Sequence, residues 1–256
     1  MQTALVTGAS SGIGYEIAKI HASRGGHLVI TARNEAKLNA LKLELEAKYT
    51  ISVHIIVKDL SLNNAALEIY NELKTNNIQI NYLINNAGYG LYGSFQSTDW
   101  ELESKMIQLN IVVLTQLTKL FLPSMIENKF GKILNVASTA AFVPGPMMAV
   151  YCATKPYVLN FSEAINNEVS KYGVSVTALC PGATATGFSK AANADKSALF
   201  TKTKLASSYD VALYGYEAML KGKQVAIHGF VNKLLAFIVR LTPRSLVVKI
   251  SRKVIE

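Results

Sequence analysis

Residues 3–14 read Thr3-Ala4-Leu5-Val6-Thr7-Gly8-Ala9-Ser10-Ser11-Gly12-Ile13-Gly14, and the next ten residues keep a helical spacing. A short β-rich run, a turn with three glycines and a helix make a strand–turn–helix unit. Glycines in such a turn let backbone N–H groups approach a pyrophosphate at the helix N-terminus, where the helix dipole favours negative charge. A glycine-rich turn on its own is a weak signal, because loops need glycine for many reasons. Its place between the first strand and the first helix makes Gly8, Ser10, Ser11, Gly12, Ile13 and Gly14 candidate cofactor-binding residues.

The alternation continues along the chain. HLVIT, SVHIIV, NYLINN, KILNVAS, VSVTALC and QVAIHG are short apolar runs. Between them lie the helical patterns NEAKLNALKLELEAKY, SLNNAALEIYNELKTN, a long one over 99–128 and another over 151–172. Near-continuous apolar strands separated by helices indicate parallel strands covered on both faces. The expectation is an α/β fold, a Rossmann-like doubly wound parallel sheet of about seven strands. No linker or repeat divides the chain, so residues 1–256 read as one domain, with 229–256 a basic amphipathic C-terminal extension. In such sheets ligands bind at the carboxyl ends of the strands, so each strand end is a place to look for chemistry.

Composition bounds the remaining classes. Of 256 residues, 50% are hydrophobic, which excludes a mostly disordered chain. Two cysteines, Cys152 and Cys180, make neither a disulfide framework nor a zinc ribbon; a reduced, cytoplasmic compartment is expected. No apolar run reaches the length of a spanning helix, and Met1 leads almost directly into a strand, so neither a membrane span nor a secretory signal is expected. The formal charge of +9 is concentrated: from Lys221 onward there are eight Lys or Arg and one acid, Glu256.

The second strand ends at Ala32-Arg33. A carboxylate at this point would hold the ribose 2′-hydroxyl of NAD and repel a 2′-phosphate. With Ala32 there and a guanidinium next to it, NADP(H) is preferred over NAD(H) on charge grounds, with Ser10 or Ser11 as further contacts. The alternative is a solvated surface arginine. No basic residue stands beside Gly12, which weakens the preference slightly.

The fifth strand ends Asn135-Val136-Ala137-Ser138, and thirteen residues later comes Tyr151-Cys152-Ala153-Thr154-Lys155. Tyr and Lys four apart share a helix face, so the ammonium can sit near the phenol and lower its pKa. Hydride transfer to a carbonyl needs a proton delivered to the forming alkoxide, and one tuned Tyr can act as acid or base. Ser138 supplies a hydroxyl to orient and polarise the carbonyl oxygen.

Y-xxx-K alone arises by chance in many helices. Here TGxxxGIG, Asn85-Asn86-Ala87-Gly88, Ser138, Tyr151-xxx-Lys155 and Pro181-Gly182 occur in order at strand ends. The chain resembles the short-chain dehydrogenase/reductase family in its single-domain form, over roughly residues 3–228. The resemblance implies that Asn86 ties the central strands together and that Ala87-Gly88 lie under the adenosine ribose. It implies that Asp59 accepts from the adenine amino group, although it could equally cap the following helix, and that Leu60 gives a backbone contact. Asn110 would bend its helix and hold a relay water near Lys155, and Lys155 would also bind the nicotinamide ribose. Pro181, Gly182, Thr184 and Thr186 would contact the nicotinamide carboxamide. One departure is Pro156, directly after Lys155. It removes a hydrogen bond to the Cys152 carbonyl, and a kink is expected if the helix starts several residues before Tyr151.

The substrate cleft is expected between 89–95, 140–148 and 188–206. The middle segment, AAFVPGPMM, is uncharged, which suits an apolar or mixed-polarity carbonyl compound or alcohol. The third has the look of a mobile lid. The expected function is NADP(H)-dependent interconversion of a carbonyl and an alcohol by a homodimer or homotetramer. The alternatives are an epimerase or dehydratase of the extended relatives and a nucleotide-sensing or scaffold protein on a degenerate dehydrogenase fold. Neither a metal nor nucleic acid is expected. For the tail, LLAFIVRL and SLVVKI split by Pro243, three readings stand: packing on the domain or a partner subunit, a peripheral membrane contact, and, last, nucleic-acid binding.

Overall fold

A computed structural model describes residues 2–195 and 197–256. The first half of the chain alternates strands and helices: β1 (Thr3–Thr7), α1 (Gly12–Ser23), β2 (His27–Ala32), α2 (Glu35–Lys48), β3 (Val53–Val57), α3 (Ala65–Thr75), β4 (Tyr82–Asn85), α4 (Trp100–Ile107) and α5 (Leu114–Glu127). Then come β5 (Gly131–Val136), α6 (Ala149–Val169), β6 (Val174–Cys180), β7 (Thr184–Ala185), α7 (Phe188–Ala191), α8 (Ala198–Thr201) and β8 (Ala206–Ser207). The chain closes with α9 (Ser208–Leu220), β9 (Val225–Ile227), α10 (Phe230–Val239) and α11 (Arg244–Ile255).

Seven strands form one sheet in the order β3-β2-β1-β4-β5-β6-β9, every pair parallel. The order reverses between β1 and β4, so their carboxyl ends flank the crevice where ligands of such sheets lie. The strands are buried on both faces, which is why they read as unbroken apolar runs. Leu5, Val29, Leu83 and Ile133 point into one layer with α3 and α5; Val6, Ile30, Ile84 and Leu134 point into the other with α1.

Two elements differ from the sequence reading. The helix α9 was not expected. It packs on α1, with Val211, Ala212, Tyr216 and Met219 buried, and its apolar residues are not confined to one stripe. The long pattern over 99–128 is interrupted by a π-helical segment, Gln108–Val113, between α4 and α5. Trp100–Glu127 as a whole is long and apolar enough to cross a membrane by length and composition, contrary to expectation. In this fold it serves as a core helix: Val113, Leu117, Phe121 and Met125 pack against the sheet and α3. Both cysteines are buried thiols.

Candidate active site

The glycine-rich turn leaves β1 through residues in left-handed backbone, Gly8 at φ 67° and Gly12 at φ 59°. At Gly14 an added β-carbon would run into Asn86 Nδ2 and come within 2.6 Å of the Gly8 carbonyl oxygen. Glycine is therefore required there by the close approach of the chain to itself. Asn86 Nδ2 donates to the carbonyls of Thr7 (2.9 Å) and Gly8 (3.3 Å), and the Thr7 hydroxyl receives the N–H groups of Asn86 and Ala87. The two central strand ends are thus tied to each other, as the resemblance implied for Asn86. Ser11 precedes α1 in extended backbone and makes no side-chain cap, so the opening turn keeps its positive dipole for an anion.

At the neighbouring strand ends, Arg33 is exposed and its charge is felt by Asp59. Asp59 does not cap α3. Burial raises its pKa, but hydrogen bonds from the Ser61 N–H and hydroxyl (2.9 and 2.7 Å), with Arg33, more than offset this and hold it below the ordinary value. Leu60 is buried, Ala87 half-buried and Gly88 exposed. From the far side of the crevice, Thr186 lies against Gly12, so the Pro181–Thr186 segment does meet the glycine-rich turn. Thr184 bonds the Gly182 carbonyl, and the Thr186 hydroxyl accepts from Phe188 N–H.

The residues singled out for proton chemistry also converge. Lys155 is buried, with Nζ donating to the Val136 carbonyl at 2.9 Å and lying 5.5 Å from the Tyr151 ring centroid. Burial lowers its pKa to about 8. Tyr151 does not follow the expectation that its neighbour lowers the phenol. Burial pushes the phenol upward, and a hydrogen bond with Ser138 only partly opposes it. The physical reason is that desolvation acts on both groups: a lysine itself held toward neutrality is a weak stabiliser of a tyrosinate. Cys152, next in sequence, is pushed up by burial to about 11 and is no competing nucleophile.

Asn110 sits within the π-helical segment. Its Nδ2 donates to the Tyr89 carbonyl (3.0 Å) and to the Thr154 hydroxyl (3.2 Å), while Oδ1 accepts the Tyr89 N–H. Thr154 in turn bonds the Tyr151 carbonyl at 2.7 Å. This residue was missed from sequence, although it lies inside the motif; a threonine back-bonding to its own helix has no distinctive pattern. A further network joins Asn85 to Thr118 and Asn135, and Asn135 to Ser162, bracing β4, β5, α5 and α6 behind the site. Helix α6 begins at Ala149, two residues before Tyr151, and runs unbroken to Val169 with Pro156 inside. Lys155 reaches the site notwithstanding.

The three expected walls meet. Tyr89, Leu91, Tyr92, Met148, Phe188 and Phe200 form one apolar cluster with Tyr151 and Cys152. Tyr92 N–H bonds the Ala192 carbonyl, and Gly93 N–H bonds the carbonyl of Met147, a residue held in left-handed backbone at φ 67°. The ring of Phe188 lies 5.3 Å from that of Tyr151. Lys196, within the expected lid, lies outside the described residues. A separate cleft of about 510 Å³ opens on the adjoining face of α6, lined by Phe142, Pro144, Pro146, Cys152, Pro156 and Arg244 among others. Among the described residues no cluster of His, Cys, Asp or Glu suits a metal ion.

Comparison with known proteins agrees with this geometry. Residues 2–197 match the family model for short chain dehydrogenase. Very-long-chain 3-oxoacyl-CoA reductase of Mus musculus is 32% identical over 197 residues, 73% of this chain and 61% of that protein. Its counterpart from Rattus norvegicus is 31% identical over 245 residues, 91% of this chain and 75% of that one. The chain therefore spans between about half and three quarters of the length of the curated relatives it matches. Among solved structures, a short-chain dehydrogenase from Sphingobium yanoikuyae in complex with NADPH superposes with a TM-score of 0.84 at 30% identity, over 94% of both chains. The bulky-bulky ketone specific alcohol dehydrogenase from Comamonas testosteroni gives 0.80 at 27%, over 94% of this chain and 92% of its own. With the motifs at their strand ends, the reversal of strand order beside them and these likenesses together, the chain belongs to the short-chain dehydrogenase family of oxidoreductases.

Proposed function

We propose that this chain is an NADP(H)-dependent reductase of an apolar carbonyl compound, with Tyr151 as the proton donor. The observation that carries the reading is the convergence of Ser138, Tyr151 and Lys155 beside a buried apolar cluster. The turn at Gly8–Gly14, Arg33, Asp59, the 86–88 segment, Lys155 and the 181–186 segment would hold the cofactor, which when bound supplies the hydride. Arg33 has no acidic partner within ion-pair distance among the described residues, so its guanidinium is available for a 2′-phosphate. Ser138 and Tyr151 together address the carbonyl oxygen, Ser138 orienting it and Tyr151 delivering the proton. A phenol raised by burial is protonated at neutral pH, the form that reduction requires. Proton resupply to Tyr151 runs from the Asn110 side of the site through Lys155.

The substrate class follows from the walls. Leu91, Tyr92, Met148, Phe188 and Phe200 carry no charge, which favours a bulky or long-chain ketone or 3-oxoacyl group over a sugar phosphate. The names of the relatives point the same way. A panel of apolar ketones and 3-oxoacyl thioesters, read by NADPH consumption, tests both parts. Tyr151→Phe is expected to lower kcat by about 100-fold or more and to leave NADPH affinity within about twofold. Normal turnover in that variant would remove Tyr151 from its role.

A further inference from the structure

Helix α10 has the wrong surface for a helix in water. Of its ten residues only Ala236 is buried, while Phe230 is 78% exposed, Phe237 59% and Leu234 47%. At about 100° per residue, Asn232, Ala236 and Val239 face the domain. Phe230, Val231, Leu234, Phe237, Ile238 and Leu241 then cover the opposite arc, with Lys233 and Arg240 along one flank. Helix α11 is different. Val247, Ser251 and Ile255 are its buried stripe, and Ser197 hydroxyl bonds the Ile255 carbonyl, so the helix is fastened to the body of the protein. Its cations Lys249, Arg252 and Lys253 are exposed. Residues 230–256, the two helices with their connection and the final residue, hold six Lys or Arg and one acid, Glu256, which is paired with Arg252.

We propose that α10 and α11 are a docking surface for an anionic lipid bilayer, α10 lying in the interface with its outward arc among the acyl chains. An apolar arc flanked by cations, with almost no opposing acid, is what such a surface requires. Charge complementarity also selects against the other occupant. A second copy seated on the same face by two-fold symmetry would bring one cationic tail against another. The cleft bordered by Arg244 extends the apolar surface from the start of α11 to α6. The proposal does not depend on the catalytic reading, because nothing in it requires turnover.

Co-sedimentation of the full chain with vesicles tests it. Mixed phosphatidylcholine–phosphatidylglycerol vesicles are expected to pellet the protein at least about tenfold more effectively than pure phosphatidylcholine, with the difference lost at high salt. The double variant Leu234→Asp/Phe237→Asp alters only exposed side chains, and its thermal midpoint should match that of the wild type. It is expected to remain in the supernatant. Lys249→Glu/Lys253→Glu, equally exposed, should lose only the preference for phosphatidylglycerol. A wild-type chain that stays in the supernatant, or a double variant that pellets as well as wild type, overturns the proposal. So does a wild-type dimer that Leu234→Asp/Phe237→Asp converts to monomer, since the face would then belong to a second copy.

Discussion

Arg33 stands exposed at the carboxyl end of β2, where its side chain has little to do for the fold. Arg33→Ala should therefore leave stability unchanged and weaken NADPH by about 2 kcal/mol, about thirtyfold, the worth of a charge-assisted contact. NADH should change little. Fluorescence titration with the two cofactors checks this, and equal losses would return Arg33 to an ordinary surface role. His21 is the opposite kind of residue. It is buried, with Nδ1 2.7 Å from the Tyr216 hydroxyl and its ring edge-on to Tyr82, and burial lowers its pKa to about 4. Between pH 6.5 and 4 the unfolded chain takes up a proton that the folded chain refuses, so stability falls as pH drops through that window. The loss is about 3 kcal/mol over the interval. Urea midpoints of wild type and His21→Gln across this range should converge at the acid end; parallel curves would exclude the buried histidine as the cause.

At the scale of elements, the site is made where segment ends collide. Strand β1, helix α1 and strand β4 approach so closely that the turn has no room for a methyl group at Gly14. Gly14→Ala is expected to cost about 2 kcal/mol in urea unfolding, as overpacking does, and at least about tenfold in NADPH affinity. Wild-type affinity would show that the turn is looser than this packing implies. The π-helical segment between α4 and α5 is a second such junction. It allows Asn110 to reach both Tyr89 and Thr154, a bridge from the β4 end to the catalytic helix. Helix α6 tolerates Pro156 because the missing donor would have served only the Cys152 carbonyl, and the helix is held by packing of Val158, Leu159 and Ser162 on the sheet.

Across the whole molecule, the tail is tied to the site it follows. Ile255 is buried in the apolar cluster that contains Tyr151 and Cys152, and Val247 is buried near the start of the same helix. Removing 244–256 should uncover that cluster and cost about 3–6 kcal/mol, the burial of two such side chains and their contacts. The measurement is the urea midpoint; an unchanged midpoint would make α11 an appendage. This coupling is also why exposed point substitutions, and not truncation, test membrane docking.

Much of this was legible in the sequence because it depends on local pattern. Seven apolar runs of strand length, the glycine spacing at 8–14, Ser138 after the fifth strand and Tyr151 and Lys155 on the helix that follows are all read from residues close together in the chain. Parallel pairing buries both strand faces, so the pattern has few other solutions. What only the tertiary structure decided depends on which distant segments come to lie against one another. Helix α9 lacks a single apolar stripe because α1 and the sheet cover it on more than one side. Phe188 covers Tyr151, and the phenol is raised instead of lowered, because desolvation is set by neighbours contributed from four parts of the chain. The outward arc of α10 was written in the sequence as apolar; only the packed structure shows that the protein itself leaves it exposed.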